Sequence, residues 1–154
     1  MPTVRPTAAA HLPALRTVLD SIELFPSDLL AEMSTDFLTN PDTEDRWLTA
    51  LDDAGQPVGL VCCVPEPLTD GTHNMRAIGV LAERQGEGIG ARLVARLEAD
   101  LRAAGQRLLI VDTSGTEAFA LTRKFYTQLG YTHAATLHDF WAAGDDKVIF
   151  NKAL

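Results

Sequence analysis

The sequence predicts an α/β fold: a mixed, mostly antiparallel central sheet with flanking helices, in a single domain spanning residues 1–154. Three observations predict it. Arg46–Leu51 and Val58–Val64 are apolar strands joined by Asp52-Asp53-Ala54-Gly55-Gln56-Pro57, a hairpin whose Asp and Gly supply turn conformations. Asn74–Val80, an amphipathic helix and Leu108–Val111 then form a strand, helix, strand crossover, which makes the two strands parallel neighbours. Finally, strands from Tyr131 to Phe140 and from Lys147 to Lys152 follow the last helix and complete the sheet.

The remaining elements follow from local pattern. Thr3–Pro6 is a short strand, and Leu12, Leu15, Val18, Leu19 and Ile22 are spaced for one buried helix face. Ser27 is expected to cap a second short helix, Asp28 to Met33. Glu66 to Thr72 is a polar connection with the turn residues Asp70 and Gly71. Ile89, Leu93, Leu97 and Leu101 recur every four residues with Arg92, Arg96, Glu98 and Arg102 between them, a helix that stops near Gly105. Leu108 to Val111 is apolar without alternation, as in a strand covered on both faces. In the last helix Ala118, Leu121, Phe125 and Leu129 are expected to form the core face, with Gly130 ending it.

Composition narrows the function. A chain of 154 residues buries close to ~70% of its unfolded surface and holds together without external staples. It has no apolar run near the ~18 residues that span a bilayer and no leader pattern after Met1-Pro2-Thr3-Val4-Arg5, so a cytoplasmic protein with no membrane partner is expected. The net charge of −8 and the lack of basic patches argue against a nucleic-acid surface. Cys62 and Cys63 are adjacent in a strand, point to opposite faces and read as small buried hydrophobes. Asp36, Asp42, Glu44, Asp45, Asp52 and Asp53 face the single base Arg46. They read first as a solvated acidic loop and turn, and second as a field that would steer a cationic acceptor. His133 and His138 lack ligand partners at metal spacing, so no metal is implied.

The informative stretch is Val80-Leu81-Ala82-Glu83-Arg84-Gln85-Gly86-Glu87-Gly88-Ile89-Gly90-Ala91, a strand end whose glycines open directly into a helix. Glycines let a backbone approach a ligand closely, and the free N–H groups of a helix's first turn favour an anion, so a diphosphate is the expected ligand. The same residues satisfy a dinucleotide fingerprint with Asp112 as a ribose-binding acid, but that fold needs two βαβαβ halves and only one crossover is evident. No Lys-Ser or Lys-Thr follows the glycines, which excludes a P-loop.

Gln85-x-x-Gly88-x-Gly90, the strand before it and Phe125-Tyr126-x-x-Leu129-Gly130-Tyr131 some forty residues later together resemble the GNAT superfamily of acetyl-CoA-dependent N-acetyltransferases. The resemblance runs over nearly the whole chain, from Thr3-Val4-Arg5-Pro6 to Gly144–Phe150. It implies that Ile78, Gly79 and Val80 offer backbone groups to the pantetheine arm and that Gln85, Gly86, Glu87, Gly88, Ile89, Gly90 and Ala91 hold the diphosphate of acetyl-CoA, the co-substrate. Glu87 would take part only through its backbone N–H, while Arg84 and Arg92 would add positive charge nearby. Tyr126 matches the family's tyrosine near the cofactor sulfur, a general acid for the departing thiolate. A backbone N–H near Val80 would stabilise the oxyanion.

The chain departs from the pattern at Phe119 and Thr122, where many members carry Asn and Ala, and Thr122, Arg123 and Ser114 are the candidate substitutes for the missing amide. No carboxylate lies on the Asn74–Val80 strand, which leaves Glu66, Asp70, His73, Asp112 or a water relay to take the acceptor's proton. The reading is transfer of acetyl from acetyl-CoA directly to a primary amine of a small molecule or peptide. A catalytically silent CoA-binding module and a nicotinamide-dinucleotide-binding protein are the alternatives. Many members of the family pair as homodimers, and this sequence carries no signal for or against it.

Overall fold

The computed structural model describes residues 1–154 and builds them around one seven-stranded sheet in the order β1-β2-β3-β4-β5-β7-β6. The strands are β1 (Thr3–Pro6), β2 (Arg46–Leu51), β3 (Pro57–Pro65), β4 (Thr72–Val80), β5 (Leu108–Ser114), β6 (Thr132–Ala142) and β7 (Asp145–Ala153). Four α-helices cover it: α1 (Leu12–Asp20), α2 (Leu30–Thr39), α3 (Ile89–Ala103) and α4 (Ala120–Gln128). Every neighbouring pair is antiparallel except β4 and β5, which run parallel because α3 carries the chain across the sheet between them. One parallel pair leaves no second βαβαβ half, so the dinucleotide alternative fails at the level of architecture.

Alternation along the strands sends side chains into two cores. Trp47, Leu60, Cys62 and Ala77 pack with Leu15, Val18 and Leu19 of α1 and Leu30 of α2. Leu48, Val61, Cys63 and Met75 face the other way, onto Leu93, Val94, Leu97 and Leu101 of α3 and Tyr126 of α4. The four-residue apolar repeat of α3 is thus the stripe that meets the sheet, and each of its fully buried leucines contributes about 1.5–3 kcal/mol of burial.

Ala77 and Met75 lie two apart, yet they serve opposite cores, which a regular strand forbids. The pairing of β3 with β4 explains it. Cys62 stands opposite Ala77 and Cys63 opposite Met75, so Arg76 is an extra residue, a bulge that reverses the faces of β4. The pairing of β4 with β5 covers only Thr72–Asn74 against Leu108–Ile110 and stops just before this bulge. Beyond it the two strands splay apart, and the opening holds the site.

Two local expectations are corrected. Ser27 lies inside a 3-10 turn, Ser27–Leu29, caps nothing with its side chain, and α2 extends to Thr39 rather than ending at Met33. In α4, Leu121 is 81% exposed and Tyr126 is the buried residue, because Tyr126 packs against Tyr131 and Phe150, with ring centroids 5.9 and 5.6 Å away. Phe125 and Leu129 do pack against the core.

Candidate functional site

The loop from β4 into α3 carries the cradle. Gly86 and Gly88 have φ of +83° and +82°, a left-handed conformation that glycine adopts without a Cβ penalty. The backbone N–H groups of Gly86, Glu87, Gly88, Ile89, Gly90 and Ala91 donate to no acceptor in the protein, and the first internal bond of the turn is Arg92 N–H to Gly88 O, 3.1 Å. Unpaired amides at the positive end of a fifteen-residue helix form an anion site. Gln85 Nε2 donates to Val80 O at 3.2 Å and so folds the loop back on the strand end.

These amides border a cavity of about 550 Å³ whose opposite wall is α4 and whose floor is the splayed end of β4. Of the eleven residues that the sequence places at the cofactor, ten line it: Ile78, Gly79, Val80, Gln85, Gly86, Gly88, Ile89, Gly90, Ala91 and Tyr126. Glu87 does not. Its carboxylate turns away to Arg84, whose Nε lies 3.0 and 2.9 Å from the two Glu87 oxygens. Arg84 lines the cavity, whereas Arg92 lies outside it and donates to Pro2 O at 3.3 Å. A groove bordered at one end by five of the six residues with free amides, and along its floor by an unpaired strand edge, fits a diphosphate followed by an amide-bearing arm that adds to the sheet like a further strand.

Tyr126 lies where this cavity meets a second one of about 480 Å³. The two share Ile22, Ile78, Thr122 and Tyr126. Ile22 arrives from the segment after α1 and rests on β4 at Gly79, where a Cβ would stand 2.6 Å from its Cδ1. Ser21 anchors that segment by accepting from Ala82 N–H at 3.1 Å. The Tyr126 ring is 3% exposed, and burial pushes its phenol above the usual tyrosine range, so it stays a neutral donor but a weaker acid than an ordinary tyrosine.

The second cavity was not legible in the sequence, because five distant segments assemble it: Ile22–Leu24, Met75–Ile78, Val111–Ser114, the stretch with Phe119, Thr122 and Tyr126, and Trp141 with Asp145. Its carboxylates are Glu23, Asp112 and Asp145. Of the four expected bases only Asp112 is among them. Glu66 bonds Asn74 Nδ2 at 3.3 Å, the Asp70 carbonyl receives Arg107 Nε, and His73 is buried with Nε2 3.2 Å from Glu44 O, all outside both cavities. The acidic run from Asp36 to Asp53 lies elsewhere too, tied into its own loops by bonds such as Asp42 N–H to Asn40 and Ala54 N–H to Asp52. Phe119 lines the second cavity rather than the cofactor groove. Of the candidates to replace the amide missing there, Thr122 alone faces the groove, since Arg123 is spent on the carbonyls of Ser114 and Thr116 and Ser114 Oγ on Asp145.

No helix is long and apolar enough to cross a membrane. Comparison with curated proteins yields no match. Among solved structures, a protein assigned to the GNAT family of acetyltransferases from Desulfovibrio desulfuricans superposes with a TM-score of 0.91 at 30% identity, covering 99% of each chain. The ribosomal-protein-S18-alanine N-acetyltransferase of Escherichia coli gives a TM-score of 0.79 at 17% identity over 99% of this chain and 94% of its own. A Salmonella typhimurium protein with its cofactor acetyl-CoA gives 0.79 at 18% over 100% and 94%. These last two share the fold. The sequence profile of the acetyltransferase (GNAT) family matches residues 15–131, more than half the chain. With the splayed β4, the amide cradle and Tyr126 at the junction of two cavities, that match places the chain in the acetyltransferase (GNAT) family.

Proposed function

We propose that residues 1–154 form one N-acetyltransferase domain that moves the acetyl group of acetyl-CoA directly to a primary amine of a small molecule or peptide. The observation that carries this reading is the run of six unpaired amides from Gly86 to Ala91 beside the open edge of β4. Acetyl-CoA supplies an activated acyl group as a thioester. The chain's own residues do the rest: the amides of Gly86–Ala91 hold the diphosphate, and the β4 edge from Ile78 to Val80 pairs with the arm. The thioester is thereby delivered to the junction at Tyr126, and the acceptor enters through the second cavity.

An alkylamine is about 99.9% protonated at pH 7 and must lose a proton before attack. With Glu66, Asp70 and His73 outside both cavities and Asp112 Oδ2 held by Lys147 at 3.3 Å, a water relay through the open second cavity is the assigned route. Tyr126 keeps its proton at every working pH and donates to the leaving sulfur. The desolvation that weakens the phenol as an acid also raises the pKa of a thiol released beside it, which narrows the gap between them. Both cysteines, buried and unpaired, suit a reducing compartment, and the proposal places the protein in the cytoplasm.

The test is calorimetric titration with acetyl-CoA, then release of free CoA thiol across a panel of primary amines. Binding with turnover of at least one amine supports the proposal. Binding without turnover identifies a silent CoA-binding module, and no binding overturns the cofactor assignment.

A further inference from the structure

Resting on the reading of Tyr126 as proton donor, we infer that Glu98 and Lys152 are positioning residues that hold Tyr126 at the junction of the two cavities. A closed circuit of hydrogen bonds carries this. Lys152 Nζ donates to both Glu98 oxygens, at 3.0 and 3.2 Å, and to Leu129 O, at the end of α4, at 2.8 Å. The Tyr131 hydroxyl donates to Glu98 Oε2 at 2.8 Å, and the Tyr131 backbone N–H donates back to Tyr126 O at 3.0 Å. Gly130, with φ of +89°, makes the left-handed turn that brings this N–H round onto α4. The circuit therefore starts on the Tyr126 carbonyl and closes on the same helix at Leu129.

Stability alone does not account for these charges. Glu98 is 5% exposed and stands among the buried leucines of α3. Desolvation of a buried ion pair largely offsets its attraction, and neutral residues of similar volume are often as stable in its place. What the charges add is a fixed geometry, and they add it where both walls of the cofactor groove meet. The helix α3 carries Glu98 and, at its N-terminus, the amide cradle, whereas α4 carries Tyr126 and ends under Lys152. Burial alone shifts the Tyr126 phenol, with no hydrogen-bond partner contributing, so ring contacts and backbone place its hydroxyl. Both are tied to the circuit. The Tyr131 ring, 5.9 Å from that of Tyr126, belongs to the residue that bonds Glu98, and the Phe150 ring, 5.6 Å away, shares a face of β7 with Lys152.

The double variant Glu98→Gln with Lys152→Met tests this. Glutamine still accepts from Tyr131, methionine fills the place of the lysine stem, and neither member of the pair is left buried as a lone charge. Its melting temperature is expected within ~5 °C of wild type, its kcat about tenfold lower and its KM for acetyl-CoA within about twofold. In a Tyr126→Phe background the same pair of changes is expected to lower kcat by less than about twofold, because the hydroxyl through which it acts is already gone. A further tenfold loss in that background overturns the inference, as does an unchanged kcat in the enzyme that keeps Tyr126. The second readout needs no turnover. The chain has two tyrosines, so carbon-13 at the tyrosine Cζ gives two resonances, which Tyr126→Phe assigns. With free CoA bound, the Tyr126 resonance is expected to shift in the double variant and in the milder Glu98→Gln alone, and an unmoved resonance overturns the inference. If no amine is turned over, or if Tyr126→Phe keeps the wild-type rate, the underlying reading falls and this resonance alone decides whether the circuit holds Tyr126.

Discussion

Cζ of Phe125 lies 3.2 Å from the point where a Cβ on Gly90 would stand, so a ring from α4 closes directly over the first turn of α3. A methyl at Gly90 keeps every amide of the cradle but pushes the ring toward the groove. For stability two terms oppose: alanine in a helix gains up to ~1 kcal/mol over glycine, and overpacking costs ~1–3 kcal/mol. Gly90→Ala is therefore expected to shift the melting temperature by only ~2–4 °C while weakening acetyl-CoA binding about tenfold. Calorimetry on the two proteins checks it, and unchanged affinity would show that the ring has room to retreat.

Glu87 acts on the cradle by what it withholds. Its carboxylate takes up the Arg84 guanidinium at the mouth of the diphosphate site, and Asp52 approaches the same group at 3.8 Å. Glu87→Gln removes one negative charge and frees Arg84 to turn inward. The Michaelis constant for acetyl-CoA should then fall about threefold at low ionic strength, and the advantage should fade above ~0.3 M salt, where the Debye length shrinks to a few ångströms. A salt-independent effect would refute this electrostatic account.

Tyr126→Phe removes the hydroxyl at the junction and keeps the ring that packs on Phe125, Tyr131 and Phe150. The turnover number is expected to fall about a hundredfold with CoA affinity within about twofold of wild type. Since burial raises the phenol's pKa, the neutral donor persists as pH rises, and ionisation of Tyr126 contributes no alkaline limb below pH ~10. Residual activity of the variant should therefore follow the wild-type pH profile, rising as the amine deprotonates. A limb that disappears with the hydroxyl would mean that Tyr126 titrates in the working range.

The sequence carried the cradle because its chemistry is local: glycine spacing, a strand end and a helix start lie within twelve residues, and free amides follow from the helix's own geometry. The hairpin of β2 with β3 and the β4–β5 crossover were legible for the same reason. Tyr126 was recognisable as a motif residue, yet the helical period placed Leu121 in the core, since Tyr126 owes its burial to Tyr131 and Phe150 from later strands. The Arg76 bulge left no mark, because a single extra residue in a strand shows only against its partner's register. The second cavity stayed hidden for a related reason. Its carboxylates lie far apart in sequence, at Glu23, Asp112 and Asp145, while the acidic run that attracted notice lies outside it.

The adjacent thiols of Cys62 and Cys63 make stability depend on pH in a stated direction. In the unfolded chain each ionises near pH ~8.5. In the fold, burial holds Cys62 up to about 12 and Cys63 higher still, one thiol in each core. Folded values above unfolded ones mean that the native state keeps protons which the unfolded state sheds, so this stability is complete below pH ~8.5 and is lost as pH rises. Between pH ~9 and ~10 the loss is on the order of 1 kcal/mol for each thiol, hence roughly twice that for the pair, with further loss above pH ~10 as the buried tyrosines join. Cys62→Ala should halve the slope in that window, at a cost near 1 kcal/mol at pH 7.5 for the methyl-sized space it leaves. Urea unfolding under reductant at pH 7.5, 9 and 10 measures both. Parallel curves for the two proteins would place the alkaline loss in other groups.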